Sequence, residues 1–123
     1  MPVPSEIVTA LDIERATRAN TNYRYVVSTS KESQLVLMSL PPGEEIGMEV
    51  HDDNTQFIRV ESGHGLAVLG ADSYVLRDGI ALFVPSGTRH NVINTGSEPL
   101  KLYTLYSPPH HPDGLVEKEK QQE

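Results

Sequence analysis

The sequence predicts an all-β domain, either a sandwich or a barrel. Short runs of alternating or β-branched residues recur from residue 23 onward, and turn signals separate them. The connections between the runs are too short for parallel crossovers, which favours antiparallel pairing. A chain of 123 residues suits one domain with a single core.

The N-terminal part differs from the rest because it contains the one helical candidate, residues 7–19. Ile7, Leu11 and Ala16 have loosely helical spacing, and Asp12 is a candidate cap. We therefore divide the chain into an N-terminal helical arm (1–22), a barrel (23–109) and a C-terminal tail (110–123). The tail is rich in proline and then highly charged, and we expect its last seven residues to be frayed.

Nine segments have strand-like patterns, and breakers such as PPGE, HDDN, SGHG and TGSEP separate them. In chain order they are YRYVVSTS, QLVLMSL, IGMEVH, QFIRVESG, GLAVLG, SYVLRDG, IALFVPSG, HNVINTG and LKLYTLY. Gly63, Gly65, Gly79 and Gly87 are interpreted as backbone requirements of turns.

Composition narrows the possible partners. The net charge of −7 comes from 17 acidic and 10 basic residues, which disfavours binding to nucleic acid or anionic membranes. The absence of cysteine excludes disulfides and thiolate metal sites. The N-terminus has no basic region followed by an apolar run, and no segment reaches about 18 apolar residues. We expect a soluble cytoplasmic protein.

The stretch EVHDDNTQ, residues 49–56, contains the first group of candidate site residues. Side chains on a strand alternate between two faces, so Glu49 and His51 point the same way. Gln56, Ile58 and Val60 share a face of the next strand, and the two apolar members indicate that this face is buried. A carboxylate in an apolar interior is costly unless it is paired or bound to a metal.

A second candidate histidine, His90, follows the turn at residues 85–88. Val92 and Asn94 share its face of the strand. Because His90 comes 39 positions after His51, the two can meet only through tertiary structure.

Glycine and histidine spacings around these residues carry a family resemblance. The second group gives the pattern G-x5-P-x-G-x2-H-x3-N, formed by Gly79, Pro85, Gly87, His90 and Asn94. This pattern resembles the second motif of the cupin superfamily at every position.

The first group has the spacing of the first cupin motif, with two of the usual ligand types changed. Its pattern is G-x5-E-x-H-x4-Q-x6-G, formed by Gly43, Glu49, His51, Gln56 and Gly63. Glu49 stands where a histidine is usual in the family, and Gln56 where a glutamate is usual. The chain resembles the small single-domain cupins often called mannose-6-phosphate isomerase-like.

The resemblance implies a double-stranded β-helix (jelly-roll) barrel with a divalent metal inside its mouth. Carried over by position, the ligands are Glu49, His51, Gln56 and His90. Two imidazoles, one carboxylate and one amide oxygen suit Mn, Fe, Ni, Co or Zn, and leave open positions for a substrate. We expect the pocket to be lined by Ile58, Val60, Val92 and Asn94.

Three alternatives remain open around this site. Gln56 is either a ligand or a hydrogen-bonding group that orients His51 or a water. Asp53 with His51 and His90 would form the two-histidine, one-carboxylate triad of non-haem iron oxygenases. His110 and His111 are expected on a rim loop, with an approach to the barrel mouth as the alternative.

The arginines bear on the substrate, because a sugar phosphate needs a cationic side chain inside the pocket. Arg59 has the opposite parity to Gln56, Arg89 is adjacent to His90, and Arg77 precedes a turn, so all three are expected to point outward. This favours a small keto, enol or phenolic compound over a phosphosugar.

The function expected from the sequence is a metal-dependent enzyme that acts on a small oxygen-rich molecule by isomerase- or dioxygenase-type chemistry. The alternative is a non-catalytic module that binds a metal or a small ligand. Exposed barrel edges and the resemblance predict a homodimer, and the Tyr23–Tyr25 cluster is expected at an edge or a subunit contact.

Overall fold

A computed structural model describes residues 7–121, so that the parts of the predicted arm and tail at 1–6 and 122–123 lie outside the described residues. Within this range the chain forms one helix and nine strands, which confirms the all-β class. The elements are α1 (Ile13–Ala19), β1 (Arg24–Thr29), β2 (Gln34–Leu40), β3 (Thr55–Ser62), β4 (Gly65–Leu69), β5 (Asp72–Leu76), β6 (Ala81–Val84), β7 (His90–Asn94), β8 (Leu100–Ser107) and β9 (Val116–Glu117).

The strands form two antiparallel sheets around one apolar core. The larger sheet has the order β6-β3-β8-β2-β1-β9, and the smaller one has the order β5-β4-β7. Both sheets contribute to the core, for example through Val36 and Leu102 from the larger sheet and Ala67 and Val92 from the smaller one. The period-two pattern explains this burial, because inward residues alternate with outward ones along β3 and β8.

The helix begins where a cap was predicted but is shorter than the predicted segment. The side chain of Asp12 accepts a hydrogen bond from the backbone N–H of Arg15 at 3.2 Å. Ile7 and Leu11 precede the helix and are exposed. Helix α1 contacts β3 and β8. No helix in residues 7–121 combines the length and apolar character that crossing a membrane requires.

The predicted strand IGMEVH, residues 46–51, is not a strand in the structure. This part of the chain pairs with β7 through the isolated bridges Glu45–Ile93 and Glu49–His90 and a hydrogen bond from the Ile46 N–H to the Val92 carbonyl at 2.9 Å, without forming a continuous ladder. Gly47 has a φ of +106°, and its N–H donates to the Asn91 side chain at 2.8 Å instead of to a strand. A glycine in this conformation interrupts regular pairing, which the alternation of apolar residues did not reveal.

The C-terminal tail pairs with the larger sheet at residues 116–118, so the expectation of fraying from residue 117 is wrong for 117 and 118. β9 pairs with β1 and covers an edge that would otherwise expose backbone donors. The Arg24 guanidinium forms an ion pair with Glu117, and the Tyr23 N–H donates to the Lys118 carbonyl at 3.1 Å.

One of the four glycines assigned to turns has a different role. Gly63, Gly79 and Gly87 have φ values of +112°, +90° and +82°, as the turn interpretation requires. Gly65 lies instead inside β4, where a Cβ atom would stand 2.5 Å from the carbonyl oxygen of Ile93. Glycine at 65 therefore permits the close approach of β4 to β7.

Candidate metal centre

Glu49, His51 and His90 come together although they are far apart in the sequence. Each offers one ligand atom, and these atoms all lie within 4.8 Å of one another. Two backbone hydrogen bonds join Glu49 and His90, from Glu49 N–H at 2.8 Å and from His90 N–H at 2.9 Å. The backbone thus sets the spacing between the residue that carries the carboxylate and one of the two histidines.

The turn before β7 holds both histidines. The N–H of Gly87 donates to the carbonyl of His51 at 2.7 Å, while the carbonyl of Thr88 lies 2.8 Å from Nδ1 of His90. An imidazole that donates from Nδ1 keeps the lone pair of the neutral ring on Nε2. The turn therefore selects the His90 tautomer that can bind a metal through Nε2.

Three inward-facing atoms lack the partners that buried polar atoms usually have. Among residues 7–121, Nε2 of His51, Nε2 of His90 and Oε1 of Gln56 are buried without a hydrogen bond. The Gln56 amide is nevertheless oriented, because its Nε2 donates to Oγ1 of Thr104 at 3.0 Å. An unsatisfied buried polar atom costs about 1–3 kcal/mol, and a cation held between the two histidines would satisfy both Nε2 atoms. This donor set fits a divalent ion.

Local electrostatics keep His51 in the form that a metal ligand needs. Burial, and then the proximity of His90, lower the pKa of His51, while Asp53 opposes the shift. His51 is therefore neutral at physiological pH, with a lone pair available. Glu49 has a side chain that is 36% exposed, with Oε2 3.9 Å from His51 Nε2. The carboxylate thus lies on the solvent side of the histidines.

The carboxylate alternative, Asp53, does not join this group. Asp53 is exposed, and the described cluster of ligand atoms contains Glu49 instead. The structure therefore favours the ligand set carried over by motif position, which contains Glu49, over the His51–Asp53–His90 triad.

The rings of Tyr106 and His110 form an aromatic wall beside His51, and the sequence predicted only part of it. The ring of His110 lies 4.3 Å from that of His51, and the ring of Tyr106 lies 5.4 Å from His110. The approach of His110 to the mouth, which was the alternative to a rim position, is thus the observed arrangement. Tyr106 was missed, although it is paired with Gln56 in the β3–β8 register, and face counting along β8 would have found it.

Hydrogen bonds to Gln34 fix the position of residues 110–111, which belong to this aromatic wall. Its Oε1 accepts from the N–H groups of His110 (3.2 Å) and His111 (2.9 Å), and its Nε2 donates to the His111 carbonyl (2.7 Å). Nε2 of His111 lies 3.3 Å from the Tyr106 hydroxyl. Nothing in the strand pattern around Gln34 indicates this contact, because the partner lies beyond the last long strand.

The wall is electrically neutral at physiological pH. Burial, and then the Arg24 guanidinium, lower the pKa of His111 to about 3. Burial, and then His51, lower the pKa of His110. Burial raises the pKa of Tyr106. These groups therefore offer hydrogen-bonding atoms without a competing charge.

The three arginines that were expected to point outward are not buried, but a fourth one, which was not considered, is largely buried. Arg77 and Arg89 are exposed, and Arg59 is half-buried beside Glu61 at 3.3 Å. Arg24, however, has a side chain that is only 14% exposed and is paired with Glu117. A largely buried arginine, which the face count did not consider, therefore lies in β1.

Three of the four residues predicted to line the pocket belong to the core, and the fourth, Asn94, holds a turn in place. Ile58, Val60 and Val92 belong to the buried core. The Asn94 side chain donates to the carbonyls of Leu40 and Glu98 and accepts from the N–H of Gly96. Both amide hydrogens and one lone pair of Oδ1 are used in this way, so that Asn94 holds the β7–β8 turn.

Comparison with known families agrees with this architecture. Residues 36–106 match the family model of the cupin domain. The chain belongs to the cupin superfamily. Its two antiparallel sheets are accordingly the two layers of a double-stranded β-helix, or jelly roll.

Several relatives resemble this cupin over most of its length. The uncharacterized protein YrkC of Bacillus subtilis (strain 168) is 46% identical over 116 residues, which are 89% of this chain and 62% of YrkC. The uncharacterized protein L612 of Acanthamoeba polyphaga mimivirus is 42% identical over 119 residues, 94% of this chain and 74% of L612. The cupin described here thus spans less than two thirds of YrkC.

A solved structure shares the fold in detail. The crystal structure of BH2720 from Bacillus halodurans superposes with a TM-score of 0.90 at 40% sequence identity. The match covers 94% of this chain and 92% of that chain.

Proposed function

We propose that this cupin binds one divalent metal ion through Glu49, His51 and His90, with Gln56 as the fourth ligand. The observation that carries the proposal is that Glu49, His51 and His90 place one ligand atom each within 4.8 Å of one another. Nε2 of both histidines and Oε1 of Gln56 are buried without a hydrogen bond within residues 7–121. Neutral imidazoles, a carboxylate and an amide oxygen are suitable ligands for Mn, Fe, Ni, Co or Zn.

We further infer that the centre serves an enzyme acting on a small oxygen-rich molecule, by isomerase- or dioxygenase-type chemistry. With one anionic ligand, a bound divalent ion would keep net positive charge and polarise a substrate oxygen as a Lewis acid. The protein supplies the orientation: the backbone pair Glu49–His90 spaces two ligands, and Thr88 fixes the His90 tautomer. The rings of Tyr106 and His110 lie 6.1 Å and 4.3 Å from that of His51, and both side chains carry an exchangeable proton.

The alternative, a non-catalytic module that binds a metal or small ligand, rests on the same ligands and differs only in turnover. The lower alternative, an iron oxygenase using Asp53, has less support because Asp53 is exposed. The mannose-6-phosphate isomerase-like subgroup, the homodimer and the cytoplasmic location remain predictions. Light scattering coupled to size-exclusion chromatography measures the oligomeric state.

Metal binding is tested by titrating the metal-free protein with Mn, Fe, Co, Ni and Zn ions in a calorimeter. We expect His51→Ala and His90→Ala each to weaken binding by more than about 100-fold, because loss of a ligand exceeds the 10- to 100-fold effect of outer groups. The matched control is His64→Ala, at an exposed histidine. Unchanged affinity in both ligand variants would overturn the proposal.

Turnover separates the enzyme from the binding module. The metal-bound protein is assayed with diketones, catechols and sugars, and dioxygen consumption is followed with the Fe and Mn forms. The enzyme proposal predicts turnover that the His90→Ala variant loses. Ligand binding without turnover on the whole panel would favour the module.

A further inference from the structure

His110 is an exposed residue that contacts one of the proposed metal ligands. The centroid of its ring lies 4.3 Å from that of the His51 ring, and the two ring planes are inclined at 68°. His51, Gln56 and His90 are buried, whereas His110 is exposed. A residue that contacts a buried ligand and is itself exposed lies between that ligand and water.

The position of His110 is fixed by contacts on its backbone and on its ring. Its N–H donates to Oε1 of Gln34 at 3.2 Å, and the same amide binds both the N–H and the carbonyl of the next residue, His111. The His110 ring stacks on that of Tyr106, with 5.4 Å between the centroids and 27° between the planes. A ring held in this way is preorganised for binding, because little conformational freedom remains to be lost.

The two neighbouring histidines differ in what their rings contact. Nε2 of His111 lies 3.3 Å from the Tyr106 hydroxyl. Within residues 7–121, the hydrogen bond of His110 comes from its backbone N–H, and neither nitrogen of its ring takes part in one. An imidazole carries at least one N–H donor in either protonation state. His110 therefore offers a donor that no neighbour in the described part of the chain uses.

A molecule that reaches the proposed metal centre from solvent meets His110. On the inner side, Ile58 and Val60 of β3 belong to the apolar core. Of the four proposed ligands, Glu49 alone is not buried, with a side chain that is 36% exposed. The exposed side of the centre is thus bordered by Glu49 and His110, and an open coordination position is reached past them.

We propose that His110 is a substrate-binding residue of the metal centre, and that its ring donates a hydrogen bond to an oxygen of the molecule held by an ion at Glu49, His51 and His90. This rests on the proposed function and adds a specificity-determining group to it. Such a donor favours molecules that carry two adjacent oxygens, because one oxygen can accept from His110 while both contact the ion. It also stabilises negative charge that develops on that oxygen.

Two other roles of His110 make different predictions. If the ring only fills space against His51 and Tyr106, then His110→Phe, which retains a ring, preserves the properties of the site. If the ring is a further metal ligand, the same change weakens metal binding. If the ring binds the substrate, metal binding is preserved and binding of the oxygen ligand is weakened. One variant with two measured affinities therefore separates the three roles.

The experiment uses Co²⁺ as the metal and 4-nitrocatechol as the oxygen ligand, with acetohydroxamate as a second chelating probe. Calorimetry gives the dissociation constant of Co²⁺ for the unaltered protein, His110→Phe and His110→Gln. Each Co²⁺-loaded protein is then titrated with 4-nitrocatechol, whose absorption band reports binding, and with acetohydroxamate in a calorimeter. The matched control is His64→Phe, at an exposed histidine on the β3–β4 turn.

We expect His110→Phe to bind Co²⁺ as tightly as the unaltered protein and both oxygen probes about 10-fold more weakly, as loss of one hydrogen bond implies. His110→Gln retains an amide N–H donor and should recover part of the affinity for the probes. His64→Phe should match the unaltered protein in every titration.

The proposal is overturned if His110→Phe binds both probes with full affinity, which would leave a packing role. Weaker binding of Co²⁺ by this variant would also overturn it, because the ring would then be a metal ligand. If neither probe binds to the Co²⁺-loaded unaltered protein, no open position is reached past His110 and the proposal is wrong, while the metal centre stands. If Co²⁺ itself fails to bind, the proposed function fails first.

Discussion

The side-chain amide of Gln34 forms two hydrogen bonds with the backbone of His111. Its Nε2 donates to the His111 carbonyl at 2.7 Å, and its Oε1 accepts from the His111 N–H at 2.9 Å. This contact joins positions 77 residues apart and places the neighbouring His110 against His51. The side chain of one strand residue thus determines where the C-terminal segment crosses the candidate site.

Replacement of Gln34 should therefore destabilise the fold. Gln34→Leu leaves the backbone groups of His110 and His111 without their partners, at about 1–3 kcal/mol for each group that stays buried. Urea unfolding, followed by circular dichroism, measures the loss in the free energy of unfolding. The matched control is Gln121→Leu at an exposed position, for which we expect no change. Equal stability of the two variants would contradict the role of Gln34.

The role of Gln56 is tested through its neighbour Thr104. Gln56→Leu removes Oε1, and because a ligand is lost we expect metal binding to weaken by more than about 100-fold. Thr104→Val preserves shape but removes the acceptor that orients the amide at 3.0 Å, so a smaller weakening is expected. Calorimetric titration of both variants gives the order of the effects. Full affinity in Gln56→Leu would mean that Gln56 is not a ligand.

Acid should destabilise the metal-free protein through His111. Burial, and then Arg24, His110 and His51, lower its pKa to about 3, while its Nε2 lies 3.3 Å from the Tyr106 hydroxyl. The unfolded chain, with a histidine pKa of about 6.5, therefore binds the proton first. The contribution to stability is complete above about pH 6.5 and is lost as the pH falls towards 3.

The measurement is the urea midpoint of the metal-free protein between pH 7 and pH 4. We expect the midpoint to fall with pH, and His111→Gln to make this dependence shallower because the titrating group is gone. His64→Gln, at an exposed histidine, serves as the control and should preserve the full dependence. A His111→Gln profile as steep as that of the unaltered protein would refute the assignment.

Gly65 should not tolerate a side chain. A Cβ atom at this position would stand 2.5 Å from the Ile93 carbonyl oxygen, and both atoms belong to paired strands that cannot move apart freely. We expect Gly65→Ala to cost about 1–3 kcal/mol of stability, as overpacking typically does. Thermal unfolding measures it against Ser73→Ala on the exposed strand β5. A melting temperature equal to that of the control would show that β4 and β7 can separate.

Sequence periodicity predicted the parts of this molecule that depend on short-range rules. The alternation in β3 correctly predicted that Gln56, Ile58 and Val60 are buried together, because the side chains of a strand alternate between its two faces in any surroundings. Glycine and histidine spacing correctly drew attention to His51 and His90, which the structure brings together.

The missed features all depend on which segment crosses which face. Arg24 was left out of the face count because nothing local shows that its neighbour would be Glu117, 93 residues later. Gln34 looks like an ordinary strand residue until the position of His111 is known. Alternation assigns a residue to a side of its own strand, but long-range contacts decide what lies there.

The hydrogen-bonded pair of Glu49 and His90 has a mechanical consequence. Glu49 is bridged to His90 at the edge of the three-stranded sheet, whereas the proposed ligand Gln56 belongs to β3 of the six-stranded sheet. An ion shared by these residues would cross-link the two layers of the sandwich. Its removal by a chelator should therefore loosen one layer against the other, and amide hydrogen exchange in β7 should accelerate before exchange in β2 or β8.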